Sequence, residues 1–209
     1  MMLDFTHDDI SSDEVRRLQQ IYEPLTRSVQ NLIDATIRSQ VDAATIAQAQ
    51  EHIEAAMRRL RSRQIDGAFG VRYDSDGQSM AWGNVAMGLR NPIAPPLLVT
   101  HESPGKVTCD FRLGAAYEGP PGLVHGGVCA LVLDHVLGQT PPVKPAMTGT
   151  ITLQYLRPTR LGDLHAEAAV VKTEGAKTFA AGHIADDQGV TVTAEGVFIV
   201  PRWAWPTSD

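Results

Sequence analysis

Cysteine is scarce in this chain of 209 residues: only Cys109 and Cys129 are present. They fall within an expected strand and an expected buried helix, which points to reduced packing thiols in a cytoplasmic protein. Paired His or Cys residues at metal-ligand spacing are absent. His125 and His135 lie ten residues apart on one expected helix, too far to share an ion, so no metal is expected. His135, His165 and His183 read as packing residues. No Gly-x-Ser-x-Gly elbow offers a serine nucleophile, and no glycine-rich loop follows a strand to cradle a nucleotide. Basic residues are outnumbered, 18 against 24 acidic, for a net charge of −6. That balance disfavours nucleic acid as a partner. No stretch has the length and apolarity of a membrane span. The acidic start, Asp4, Asp8 and Asp9, carries no basic-then-apolar leader, so secretion is not expected. What remains, 43% hydrophobic and 20% charged, describes a globular protein with one ordinary core and an extension.

One segment stands out. The run 124–137 is apolar except for His125 at its start and Asp134 with His135 near its end. Val128, Ala130, Leu131, Val132, Leu133, Val136 and Leu137 are distributed on all sides, the pattern of a helix enclosed by protein. An ionised carboxylate is costly there, and chemistry is the best reason to keep it. The helix entrance is Pro120-Pro121-Gly122-Leu123-Val124-His125-Gly126-Gly127. Its paired glycines allow close backbone approach to a helix N-terminus, where free N–H groups suit an oxygen gaining negative charge. Nine residues at ~1.5 Å rise separate His125 from Asp134 by roughly 13 Å and turn them to about opposite sides. One chain cannot bring both to a single substrate atom. If they share a site, two helices must lie antiparallel in a dimer with two equivalent composite sites.

Strand patterns surround this helix. Segments 147–156, 163–172, 177–186 and 190–200 follow it, joined by short turns such as Glu174-Gly175-Ala176, while 106–113 and 97–101 precede it. Alternation along 147–156 sets Thr148, Thr150, Thr152 and Gln154 on one face, against Gly149, Ile151, Leu153 and Tyr155. In the last segment Val190, Val192, Ala194, Phe198 and Val200 share a face opposite Thr191, Thr193 and Glu195. The expected fold is α+β, an antiparallel sheet wrapped around a central helix, with an N-terminal helical extension.

Gly119-Pro120-Pro121-Gly122, His125-Gly126-Gly127, Asp134, Gly138, Met147-Thr148-Gly149 and Tyr155-Leu156-Arg157-Pro158 together resemble the hotdog-fold acyl-CoA thioesterases of the PaaI-like family, over roughly 97–200. The resemblance implies a homodimer joined through edge strands with antiparallel helices, often paired again into a dimer of dimers. It implies a place in fatty acid metabolism, with acyl-CoA as substrate and no cofactor. By position, Asp134 matches the family's nucleophile or water-activating base, and Gly126 the glycine whose N–H polarises the thioester carbonyl. His125 matches the motif histidine that holds the entrance loop or thioester, and Thr148 the residue that orients the carboxylate or water. Gly127 and Gly119 complete the candidate substrate-binding entrance. Gly119 departs from the amide or acidic side chain that many members carry there, with Glu118 beside it. Arg157, with Arg160, Lys172 and Lys177, is a candidate for the CoA phosphates, with a solvated surface charge as the alternative reading of each. No hydratase Asp and His segment of the kind found on this fold is present. The rival reading is a non-catalytic acyl-CoA or acyl-carrier binding protein using the same cleft.

Three regions are expected: a helical extension over 1–64, an irregular connection over 65–96 and the hotdog domain over 97–209. Ser11 and Glu14 signal a capping box for a helix that Pro24 should interrupt. A second helix begins near Asp42, with Ile46, Ala49, Ile53, Ala56 and Leu60 along one face. The expected role of this N-terminal arm is packing on its own or a neighbouring core, with a lid or wall over the acyl chain as the alternative. Met80, Trp82, Met87 and Leu89, and also Trp203 and Trp205, are expected in core or dimer packing, or as an acyl-pocket lining.

Overall fold

The computed structural model describes residues 5–143 and 145–204. Asp4 and Trp205 therefore lie outside the described residues. The chain forms two compact units, Met1–Ala94 and Pro95–Asp209.

In the first unit, β1 (Phe5–His7) leads into helices α1 (Ser12–Arg38) and α2 (Ala43–Arg61), followed by β2 (Val71–Tyr73) and β3 (Ser79–Met80). The strands form a small sheet in the order β1-β2-β3. Ser11 caps α1 by accepting from the Glu14 N–H, but the Glu14 carboxylate turns to Arg17, so only half of the capping box forms. Pro24 does not interrupt α1, contrary to expectation. Gln20, whose carbonyl loses its helical donor, is exposed and open to solvent, and the Arg27–Glu23 pair spans the position. Asp42 caps α2 through the Thr45 N–H at 2.9 Å. Within the chain, α2 has no buried residue. Val15, Met80 and Trp82 form the unit's core, joined by Leu18, Tyr22, Phe69 and Leu89. Trp82 stacks on Phe69 with ring centroids 6.0 Å apart, so Met80, Trp82 and Leu89 belong to packing.

The second unit contains β4 (Val99–Ser103), β5 (Lys106–Leu113), α3 (Gly126–Gly138), β6 (Met147–Tyr155), β7 (Gly162–Glu174), β8 (Lys177–Asp186) and β9 (Gly189–Ile199). Its six strands run antiparallel in the order β4-β5-β7-β8-β9-β6. The chain leaves β5, passes through α3 and re-enters at the far edge as β6, so the helix lies across one face of the sheet. The turn Gly175-Ala176 closes the β7–β8 hairpin, with Gly175 at φ +56°.

Helix α3 buries Cys129, Val132, Leu133, Val136 and Leu137. They pack on Val107, Cys109 and Phe111 of β5, Ala166 and Ala168 of β7, Ala180 and Ile184 of β8, and Val192, Ala194 and Phe198 of β9. Each large side chain removed from water contributes about 1.5–3 kcal/mol. Small residues under the helix set its close approach. A Cβ at Gly182 would stand 2.5 Å from the Glu167 carbonyl oxygen and 3.0 Å from Leu137 Cδ1, and one at Gly196 3.2 Å from Leu137 Cδ2. Leu137 fills the space that these glycines leave. The remaining helix face carries Gly127, Leu131 and Asp134, which are exposed or only half-buried within the chain.

Two bulges correct the expected alternation. Between Thr148 and Thr150 the β6–β9 register shifts by one residue, leaving Gly149 unpaired. Thr148 therefore lies opposite the buried Phe198, on the helix side, and not with Thr150 and Thr152. In β9 the shift leaves Thr191 between Val192, opposite Ile184, and Val190, opposite Ala185. Thr191 is thereby buried and Val190 exposed, the reverse of the expectation.

Candidate active site

The helix entrance is built by backbone hydrogen bonds. Gly119 N–H donates to the Leu123 carbonyl and Leu123 N–H to Pro120, both at 2.9 Å, and Gly122 turns the loop at φ +73°. Glu118 accepts from the Gly122 N–H at 2.6 Å. The loop is tied to its surroundings through His125 N–H to Tyr117 and Val124 N–H to Thr159. Gly119 has a steric explanation: a Cβ there would lie 2.8 Å from His125 Cα. The amide or acid of the related motif has no room here, and the neighbouring Glu118 is employed in the turn.

His125 is the N-cap of α3, its Nδ1 accepting the Gly127 N–H at 3.0 Å. Its carbonyl accepts from Val128 and Cys129. The Gly126 N–H meets no acceptor among the described residues. Of the donors that a helix start leaves unsatisfied, this one remains available, in the positive field of the helix terminus.

Asp134 lies two turns further along, half-buried. Thr148 Oγ1 donates to Asp134 Oδ1 at 2.8 Å. The bulge at Gly149 brings this hydroxyl to the helix side of β6, so the pair unites residues of different elements fourteen positions apart. Asp134 and Thr148 thus come together in one chain, as do His125, Gly126 and Gly127. The unbroken helix keeps the two groups on the order of 13 Å apart.

Arg157 has other employment. Its Nη1 donates to Asp186 Oδ2 at 2.9 Å, and Nη2 bonds Asp186 Oδ1 and the Gly189 carbonyl. The Asp186 side chain is 4% exposed. This bidentate grip ties the segment after β6 to the β8–β9 turn. Arg157 hydrogen bonding, with smaller help from Gln188 N–H and Arg160, holds the Asp186 carboxyl below its ordinary 3.8. Lys172 is paired with Glu174 at 2.8 Å. Arg160 is exposed and bridges by its backbone to Leu123 of the entrance loop.

Cys129 is buried beneath the entrance, its Sγ 3.9 Å from Thr159 Oγ1, which in turn donates to Thr191 Oγ1 at 2.8 Å. Burial raises its thiol pKa, unlike that of an activated nucleophile. One contact escaped the sequence reading: Tyr155 Oη donates to the Gly126 carbonyl at 2.8 Å. Tyr155 was legible as a strand residue and as a member of the Tyr-Leu-Arg-Pro motif, but nothing local ties it to a residue 29 positions earlier.

A sheet wrapped on one helix, with a carboxylate on that helix and a glycine-rich entrance at its start, defines the hotdog class. No family model matches the chain. The crystal structure of protein RHA08564, a thioesterase superfamily protein, is similar to it, with 31% identity, a TM-score of 0.75, and coverage of 85% of this chain and 94% of that one. The chain belongs to the thioesterase superfamily. Among curated proteins it is similar to acyl-coenzyme A thioesterase THEM4 of Xenopus laevis, 33% identical over 99 residues. That match covers 45% of this chain and 45% of the relative, so the chain spans under half of the relative's length.

Proposed function

We propose that the protein is an acyl-CoA thioesterase, hydrolysing a thioester to a free carboxylic acid and the CoA thiol. The observation that carries this reading is the Asp134 carboxylate on α3, held by Thr148 Oγ1 at 2.8 Å. The similarity to an acyl-coenzyme A thioesterase supports it.

The active form is a homodimer in which antiparallel α3 helices bring each Asp134 to the other subunit's entrance. The half-buried face of Gly127, Leu131 and Asp134 supports such a partner, as does the position of β6 at a sheet edge. The thioester carbonyl lies at the Gly126 N–H, which stabilises the developing oxyanion. Asp134 of the opposite subunit takes a proton from water as the oxygen attacks the carbonyl carbon, or attacks directly to give an anhydride that water opens. The C–S bond breaks and the thiolate leaves, taking up a proton. A thioester is already activated, and these groups suffice. Arg160, exposed beside the entrance loop, is the better candidate for a CoA phosphate, since Arg157 would have to release Asp186.

Thiol release from short, long and aromatic acyl-CoAs tests the reading. Asp134→Asn is expected to lower kcat by roughly 10²–10⁴-fold with the dimer intact, the range for loss of a general base. Wild-type rates in that variant, or binding without turnover across the whole panel, would overturn it in favour of a binding protein.

A further inference from the structure

Two glycines open α3, and glycine visits more conformations than any other residue. Yet the proposed chemistry needs the Gly126 N–H held still. Two aromatic side chains meet the peptide between Gly126 and Gly127 from opposite ends. His125 Nδ1 accepts its N–H at 3.0 Å, and Tyr155 Oη donates to its carbonyl at 2.8 Å. The same two rings flank these glycines: His125 crowds the space of a Gly127 side chain, while a Cβ on Gly126 would make ordinary contact with Tyr155. A Cβ on Gly126 would lie 3.4 Å from Tyr155 Cε1 and Oη, and one on Gly127 3.2 Å from His125 Cε1 and Nδ1. The preceding peptide is fixed separately, its His125 carbonyl accepting from Val128 and Cys129. The Gly126 N–H belongs to that preceding peptide, and Tyr155 acts on it from the neighbouring plane across Gly126 Cα.

We infer that Tyr155 is a positioning residue for the Gly126 N–H: its hydroxyl and His125 Nδ1 pin the Gly126–Gly127 peptide at its two ends. Accepting at Nδ1 places the proton of neutral His125 on Nε2, so the cap and the hydroxyl act on one peptide in a defined tautomer. Tyr155 closes β6 at its last residue, opposite Val192 in the ladder with β9, so the sheet transmits its position to the helix start. This inference rests on the thioesterase reading for its kinetic consequence but not for its structural one.

Tyr155→Phe tests it, because the ring is kept and only the hydroxyl is lost. Two readouts are taken on the full-length protein: acyl-CoA hydrolysis, and amide hydrogen exchange at Gly127 with the ¹⁵N resonances of the His125 ring. The expected result is a fall in kcat of about tenfold with KM within about twofold, part of the 10²–10³-fold carried by one oxyanion donor. Gly127 exchange should rise by at least about tenfold as the cap loosens. Unchanged kcat, or a fall confined to KM, overturns the positioning role. Unchanged exchange at Gly127 overturns the pinning itself. If wild type hydrolyses no member of the panel, the thioesterase reading fails while the exchange measurement still decides whether Tyr155 holds the peptide. If Tyr155→Phe does not fold, exchange at Gly127 in wild type decides: protection no greater than that of an exposed loop overturns the inference.

Discussion

At the scale of single residues, the arrangement rests on a few side chains whose employment differs from their appearance in the chain. Gly126 is one. Proline is accommodated at the first position of a helix, and His125 at φ −61°, ψ 132° already has the conformation that precedes proline. Gly126→Pro therefore removes one N–H with little strain, and is expected to lower kcat about 10²–10³-fold while circular dichroism keeps the wild-type helix signal. Arg157 is another, its charge committed to Asp186 and not displayed for a ligand. The Asp186 pKa is depressed in the folded state, so the pair's stability is fully present above the ordinary carboxylate value of 3.8 and lost as pH falls through the lower folded value. Asp186→Asn should thus melt below wild type at neutral pH, and the gap in Tm should close as the pH is lowered below 3.8.

At the scale of elements, local signals were legible and their registration was not. The apolar run, the entrance glycines and the alternating segments placed α3 and the six strands to within two residues at nearly every boundary, because periodicity and turn chemistry are properties of contiguous chain. The faces of β6 and β9 were misjudged where one extra residue resets the alternation. Gly149 and Thr191 are bulged only relative to the strands beside them, so alternation alone grouped Thr148 with Thr150 and Thr152. Pro24 was overweighted for the opposite reason: its local cost is real, but an exposed helix face lets water meet the freed carbonyl. The contact of α3 with the sheet offers a sharp test. Gly182→Val would drive a side chain into the Glu167 carbonyl and Leu137. It should destabilise by about 1–3 kcal/mol, read as a lower midpoint in urea with an unchanged slope.

At the scale of the whole molecule, the proposed composite site makes complementation a direct test. Asp134→Asn and Gly126→Pro homodimers are each expected to lose at least about 10²-fold in activity, but a mixed dimer contains one site with both groups intact. Random reassociation by twofold pairing should restore roughly one quarter of wild-type activity. No recovery, with mixed dimers demonstrated by mass spectrometry, would place both groups in the same chain's site. The amino-acid sequence by itself determined the helix with its lone carboxylate, the strand count, the glycine entrance and the separation of His125 from Asp134, since each follows from chain geometry over a few turns. Tertiary structure alone decided which way Thr148 faces, what Arg157 holds and where Tyr155 reaches. Those contacts join residues 14, 29 and 29 positions apart. The register of neighbouring strands creates them, and no window of sequence contains that register.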